Sequence, residues 1–243
     1  MRGLRARWRA ATNGVSVKND GLTRAFGVAG ALGVLTFWTA LALLHALRAD
    51  LNVLDTYVSD YANGSWGTLF TLAVFAHGAG NMAIAAALYR KLGRRGLAGL
   101  GVLAFGVAAA GFFVAGIFPT DPEGVPRSIP GVVHRGAATG SFAIELTALL
   151  VLALAFRVLP AWRDHLRVTV SAAVAAALAL AWLVLGISID WVPGLAERAA
   201  LGTFTVWEFS TALHLARPMA LRTAVDPHYE ANKPDPGPRS ADT

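Results

Sequence analysis

Six long apolar stretches order the chain, at roughly residues 26–47, 67–89, 97–118, 131–156, 168–189 and 195–216. A helix rises ~1.5 Å per residue, so about 20 mostly apolar residues are needed to cross a hydrocarbon core ~30 Å thick. Each stretch meets that length. The pattern therefore predicts an all-α fold, a polytopic integral membrane bundle of six transmembrane helices. The connections between them run from about five to twenty residues and leave no room for a soluble domain. The organisation is a basic N-terminal tail (1–25), a membrane domain (26–216) and a proline-rich C-terminal tail (217–243) expected to be disordered.

Composition agrees with this pattern. Of 243 residues, 55% are hydrophobic and only 15% charged, against about 25% charged in soluble domains. Mean hydropathy is +0.52. The absence of cysteine excludes disulfides, thiol catalysis and thiolate metal ligands.

Charge sets the expected orientation. On one side of the six stretches the only Lys or Arg residues are Arg48, Arg127, Arg135 and Arg198; all the others lie in the two tails and in the second and fourth connections. By the positive-inside rule both termini are cytoplasmic. The formal charge of +6 then belongs to a membrane surface with anionic lipids, and nucleic acid is not an expected partner. The Ala, Gly, Arg and Val bias suggests a bacterial gene and a place in the cell membrane. Gly27, Gly30 and Gly33 in the first helix, and the Gly136–Gly140 pair in the fourth, are spacings that let helix backbones approach closely within one chain.

The polar residues inside these stretches carry the candidate chemistry. FAIELTALLVLALAF (142–156) is a hydrocarbon run broken by Glu145, and TVWEFSTALHLA (205–216) is broken by Glu208. With the expected topology, His77 lies about 15 Å below the outer end of its helix, and Asn81, Glu145 and Glu208 about 20 Å below theirs. One slab holds all four. Successive helical residues turn by about 100°, so His77 and Asn81 share a face, as do His134, Ser141 and Glu145, and Glu197, Glu208 and Thr211. Three polar stripes can thus converge on one cavity. A carboxylate in a membrane normally faces the bundle interior, a partner or water. Two carboxylates close together in low dielectric cannot both stay charged, so such a pair suits proton relay, cation handling or general acid–base work. Glu145 and Glu208 can equally be packing elements that hydrogen-bond Asn81, Ser141, Thr211 or a backbone carbonyl.

The outward connections concentrate further polar residues: Ser59, Asp60, Asp121, Asp190 and Arg198, with His134 at the start of the fourth helix. Asp60, Asp121, His134 and Asp190 are oxygen and imidazole donors of the kind zinc or a hard divalent ion accepts, but no HExxH or closely paired histidines accompany them. No cofactor is specified. Ser59 and Ser141 lack the GxSxG turn that exposes a serine nucleophile.

The order of SDYANGSWG, a helix bearing His77, GIFPTDP, His134 and GLAERAALGTFTVWEFSTALHL resembles the bacterial six-helix membrane proteins grouped as domain of unknown function 998, over roughly residues 24–216. The resemblance singles out Ser59, Asp60, Asp121, His134, Glu197 and Arg198. It implies a fold and a location and brings no reaction, substrate or cofactor. The expectation is a multi-pass membrane protein whose outward-opening polar cavity binds a small or amphiphilic ligand, a lipid among them. The alternatives are a lipid-modifying hydrolase or transferase using Asp121, His134, Glu145 and Glu208, and a proton-linked carrier.

Overall fold

The computed structural model describes residues 20–94, 96–122, 124–189 and 191–217. The C-terminal tail beyond 217 and most of the N-terminal tail fall outside them, as does Asp190. The chain folds into six long helices: α1 Asp20–Leu47, α2 Gly67–Leu92, α3 Gly96–Ile117, α4 Ile129–Phe156, α5 Arg163–Ile189 and α6 Pro193–Ala216. No strand occurs among the described residues. Two short 3-10 helices, Val58–Ala62 and Pro160–Trp162, sit in connections.

Each apolar stretch becomes one helix, with ends set by local chemistry. Ser128 caps α4 by accepting from Gly131 N at 3.1 Å, and Pro130 occupies the first turn, where its missing N–H costs nothing. Gly93 ends α2 at φ 78°, a left-handed conformation that glycine takes without strain, and its N–H closes on Tyr89 O at 2.8 Å. α1 and α5 begin about five residues earlier than the apolar pattern indicates. In α5 this brings His165 into the helix.

Five helices, α1 to α5, are long and apolar enough to cross a membrane. α6 is not among them, and its position explains why. Its side chains touch all five other helices. Thr205 accepts from Trp38 of α1, Glu208 meets His77 of α2, Trp207 packs edge-on against Phe105 of α3, Phe204 stacks on Phe142 of α4, and Thr211 meets His165 of α5. Only the stripe through Leu195, Val206 and Leu213 is exposed. A helix surrounded by protein need not present hydrocarbon on every face, and polar residues inside membrane bundles turn towards such interiors.

The outside of the bundle is the reverse. Leu32, Leu72, Leu103, Leu178, Val184 and Ile187 all expose more than half of their surface. Leucine and isoleucine covering a bundle on this scale match a lipid surround and would be an aggregation surface in water. The chain is a multi-pass membrane protein.

Glycines set the closest helix contacts. A Cβ on Gly33 would fall 2.6 Å from Ala76 O and 2.7 Å from the Gly80 Cα, and one on Gly27 would fall 2.7 Å from Ala212 O. α1 therefore lies backbone to backbone against α2 and α6. The fourth-helix pair behaves otherwise: Gly136 and Gly140 have no neighbour within 4 Å of an added Cβ. The expected contact of that GxxxG pair within the chain does not form, because α4 turns it away from the interior that His134, Ser141 and Glu145 face.

Candidate functional site

The buried polar network lies where α2, α4 and α6 meet. Glu208 has no exposed surface, and its carboxylate holds two partners at once. Asn81 Nδ2 donates to Oε1 at 2.7 Å, and His77 Nε2 lies 2.7 Å from Oε2. An ionised carboxylate only accepts, so the short His77 contact is Nε2–H donating to Glu208. Asn81 and His77 share one face of α2 at a spacing of four, as the helical repeat requires.

Glu145, on α4, is the neighbour of Glu208 and equally buried. Among the described residues no donor reaches either of its carboxyl oxygens. Two carboxylates side by side are both acceptors, so the contact becomes a hydrogen bond only when a proton lies between them. The arrangement is a carboxyl pair with room for one proton, with an imidazole hydrogen-bonded to one member.

The imidazole of His77 is also a wall. Its ring stacks on Phe37 with centroids 4.8 Å apart and leans on Phe112 at 4.7 Å. These two rings, with Phe70, Phe142, Val74 and Leu201, line a partly open cavity of about 50 Å³, room for a few water molecules at ~10–15 Å³ each. Its polar lining is Ser59, His77, His134 and Glu197. The cavity and the carboxyl pair therefore share one residue, His77.

His134 enters from the first turns of α4. Its Nδ1 is 2.8 Å from both Ala115 O and Phe118 O. Two carbonyls can only accept, so Nδ1 carries the proton and, in the neutral ring, Nε2 is left as an acceptor. Ser141, which shares the His134 stripe, donates back to Ala137 O at 2.8 Å and rests over Gly111 of α3.

Glu197 and Arg198 fasten the 48–66 loop over this end of the bundle. Glu197 accepts from Val58 N at 2.5 Å while lining the cavity. Arg198 donates to Thr56 O at 2.7 Å, to Gly194 O at 2.9 Å and to His45 Nε2 at 3.1 Å, beneath the Tyr61 ring. Gly194 is required here, since a Cβ would overlap Thr56 O. Asp60 accepts from Tyr57 N at 3.0 Å and shapes the turn that presents Val58 and Ser59 to the cavity.

Asp121 is placed differently. It accepts from Ser128 Oγ at 2.6 Å and Ser128 N at 3.0 Å, fixing the cap of α4, and is not part of the cavity lining. The Ser128 hydroxyl and amide hold its carboxyl below the usual carboxylate range. Among the described residues no three His, Asp or Glu side chains group to hold a metal ion; Asp60, Asp121 and His134 serve three separate contacts. The structure thus gathers Ser59, His77, His134 and Glu197 at the cavity, and Asn81, Glu145 and Glu208 beneath it. Sequence reasoning did not single out the aromatic walls, Phe37, Phe70, Phe112 and Phe142, which come from four different helices. It also passed over His165, which lies in the fourth connection as read from the sequence, and Thr169, which it did not single out.

Residues 31–214 match the family described as protein of unknown function, DUF998. The chain belongs to that family. No curated protein and no solved structure matches it. The DUF998 match runs from Ala31 in α1 to His214 in α6 and so contains the cavity, the carboxyl pair and the residues that fasten the loop.

Proposed function

We propose that this DUF998 protein spans the cell membrane six times with both termini cytoplasmic. In this reading the cavity under the 48–66 loop opens outward and binds one end of a small amphiphile. The carrying observation is the lining, four phenylalanines with Ser59, His77, His134 and Glu197. Aromatic faces accept apolar or cationic groups, and Glu197 with two imidazoles supplies acceptors for a basic or hydroxylated head. The sixth span is α6, admitted to the membrane by its five protein neighbours. The test is native mass spectrometry of the protein extracted in mild detergent. A retained lipid or amphiphile should be lost in Ala138→Leu, which fills the cavity without removing any polar group. An adduct unchanged in that variant refutes the cavity as its site.

A second reading, proton-linked carriage, draws on the Glu145–Glu208 pair. A carboxyl pair with one shared proton, reached from the cavity through His77, can exchange that proton when the cavity is filled. Glu145→Gln should then change the pH profile of ligand binding, to which Glu197, His77 and His134 of the lining also contribute, while leaving binding itself in place. A pH profile identical to that of the wild type removes this reading.

A further inference from the structure

The polar side chains of α6 do not stop at Glu208. Three residues on, Thr211 is fully buried, and its Oγ1 lies 2.8 Å from Nε2 of His165 on α5. His165 is itself 4% exposed and stacks on His214, three residues further along α6, with ring centroids 4.8 Å apart and 30° between planes. Thr169 braces this group. Its hydroxyl donates to His165 O at 2.9 Å and accepts from Trp207 Nε1 at 3.0 Å. Trp162 and Phe156 close over the imidazoles from the α4–α5 turn. None of these groups touches the cavity.

This imidazole and hydroxyl, whose hydrogen bond offsets the cost of burial, occupy space that apolar side chains would fill, and ionisable residues inside membrane bundles are rare and commonly have a task. Position supplies one. Each step of three residues along α6 advances ~4.5 Å and turns the side chain by about −60°, so Glu208, Thr211 and His214 form a slow spiral towards α5. Glu197 to His214 covers about 25 Å of helix, close to the thickness of the hydrocarbon core.

We propose that α6 carries a proton relay through the bundle, from the cavity through His77 and the Glu145–Glu208 pair to Thr211, His165 and His214 at the opposite end. This rests on the proton-linked reading and extends it to the inner face. His77 passes its Nε2 proton to Glu208 Oε2 and is reprotonated from the cavity. The carboxyl pair holds the proton. Thr211 is the i+3 neighbour of Glu208, a spacing of about 5–6 Å between Cβ atoms that one bridging water would close; it accepts that proton at its oxygen while donating its own to His165 Nε2. His165 releases a proton beside His214. Each step moves one proton; a rotation of the Thr211 hydroxyl and a change of tautomer at His165 then restore both groups for the next one. Among the described side chains at this end, Asp164 on α5 is acidic. Arg24 on α1, Arg90 and Lys91 on α2, Arg94 after it, Arg157 after α4, Arg163 and Arg167 on α5, and Arg217 after α6 are basic, which favours release from an imidazolium over storage on it.

The test uses the full chain in phosphatidylcholine–phosphatidylglycerol vesicles loaded with a pH-sensitive dye, with a potassium diffusion potential driving protons inward. The wild type should acidify the lumen faster than protein-free vesicles. Glu208→Gln and His165→Phe, the latter keeping an aromatic ring among Phe156, Trp162 and His214, should fall to the protein-free rate. Thr211→Val is the second variant should His165→Phe fail to fold, judged by size exclusion and thermal unfolding. Flux in His165→Phe or Thr211→Val equal to wild type overturns the relay. So does a wild type no faster than empty vesicles. In both cases retention of an amphiphile by native mass spectrometry, and its loss in Ala138→Leu, still report on the cavity separately.

Discussion

His77 and Glu208 join α2 to α6 through a 2.7 Å contact between two side chains that are 1% and 0% exposed. Asn81 donates to the other oxygen of the same carboxylate at 2.7 Å, so Glu208 alone ties two α2 side chains to α6. Removing one partner from such a pair leaves a buried polar group without its complement, at roughly 3–5 kcal/mol. Glu208→Ala strips both His77 and Asn81 of their acceptor and should lower stability by about that amount. Glu208→Gln keeps an oxygen for one donor and should cost about 1–2 kcal/mol. Thermal unfolding in detergent measures both, and equal effects would mean that losing the carboxylate's charge accounts for the whole loss and the remaining amide oxygen for none of it.

Glu145 has the opposite expectation. It is fully buried, and among the described residues neither carboxyl oxygen has a donor. Glu145→Gln conserves volume and brings an N–H that Glu208 can accept. Stability should be unchanged or higher by about 1 kcal/mol. A loss above ~2 kcal/mol would show that Glu145 makes a stabilising contact through its acid form. Should stability rise while proton flux or ligand response disappears, the acid is retained for function at a cost to the fold.

How much of this could be read from residues alone depends on what fixed each feature. The helices follow from the length of the apolar runs. The meeting of His77, Asn81, Glu145 and Glu208 follows from depth and facing, because a rise of ~1.5 Å per residue and a turn of 100° are properties of any α-helix. Which helix occupies the middle does not follow from any one segment, and α6 became legible only through its five neighbours. His165 was hidden for a simpler reason. RVLPAWRDHLR reads as a basic connection, yet the 3-10 turn at Pro160–Trp162 starts α5 early enough to bury the ring. The Gly136–Gly140 spacing, conversely, gave the small residues and not the direction they face.

The glycines separate sharply in consequence. At Gly33 an added methyl group meets backbone atoms of α2, which cannot move aside as a side chain can. Gly33→Ala should push α1 from α2 and cost about 1–3 kcal/mol. Gly136→Ala and Gly140→Ala meet open space, so the better helix propensity of alanine should leave stability unchanged or raise it by up to about 1 kcal/mol. Unfolding midpoints of the three variants, compared side by side, check the assignment. Destabilisation at Gly136 or Gly140 would indicate a contact that the isolated chain does not make.

Asp121 gives a pH signature at the cap of α4. Its carboxyl is held below the ordinary value of 3.8 by the Ser128 hydroxyl and amide. A folded-state value below the unfolded one means that the ionised form favours the fold. That contribution is complete above the unfolded value, and it fades as pH drops through the folded one. Acid should therefore loosen the 118–128 connection first, and Asp121→Asn should remove that part of the acid dependence. Hydrogen exchange of the Gly131 and Ser128 amides between pH 6 and pH 3 tests this; identical acid profiles in wild type and variant would exclude Asp121 as the cause.

The proposed topology is open to a direct check because the chain has no cysteine. Single substitutions then report one position each, without a background to remove. Ser65 in the 48–66 loop and Val125 before α4 lie at one end of the bundle, Arg94 and Val158 in the short turns at the other. Ser65→Cys and Val125→Cys should react with a membrane-impermeant maleimide added to intact cells. Arg94→Cys and Val158→Cys should react only after the membrane is opened. This pattern requires α2, α3, α4 and α5 to cross. Leu22→Cys, at the start of α1, and Arg217→Cys, just past α6, extend the check to the first and last helices. Both should stay protected until permeabilisation if α1 and α6 cross too. Labelling of Arg217→Cys from outside would mean that α6 dips into the bundle without crossing it, which would leave the relay along α6 without an inner end.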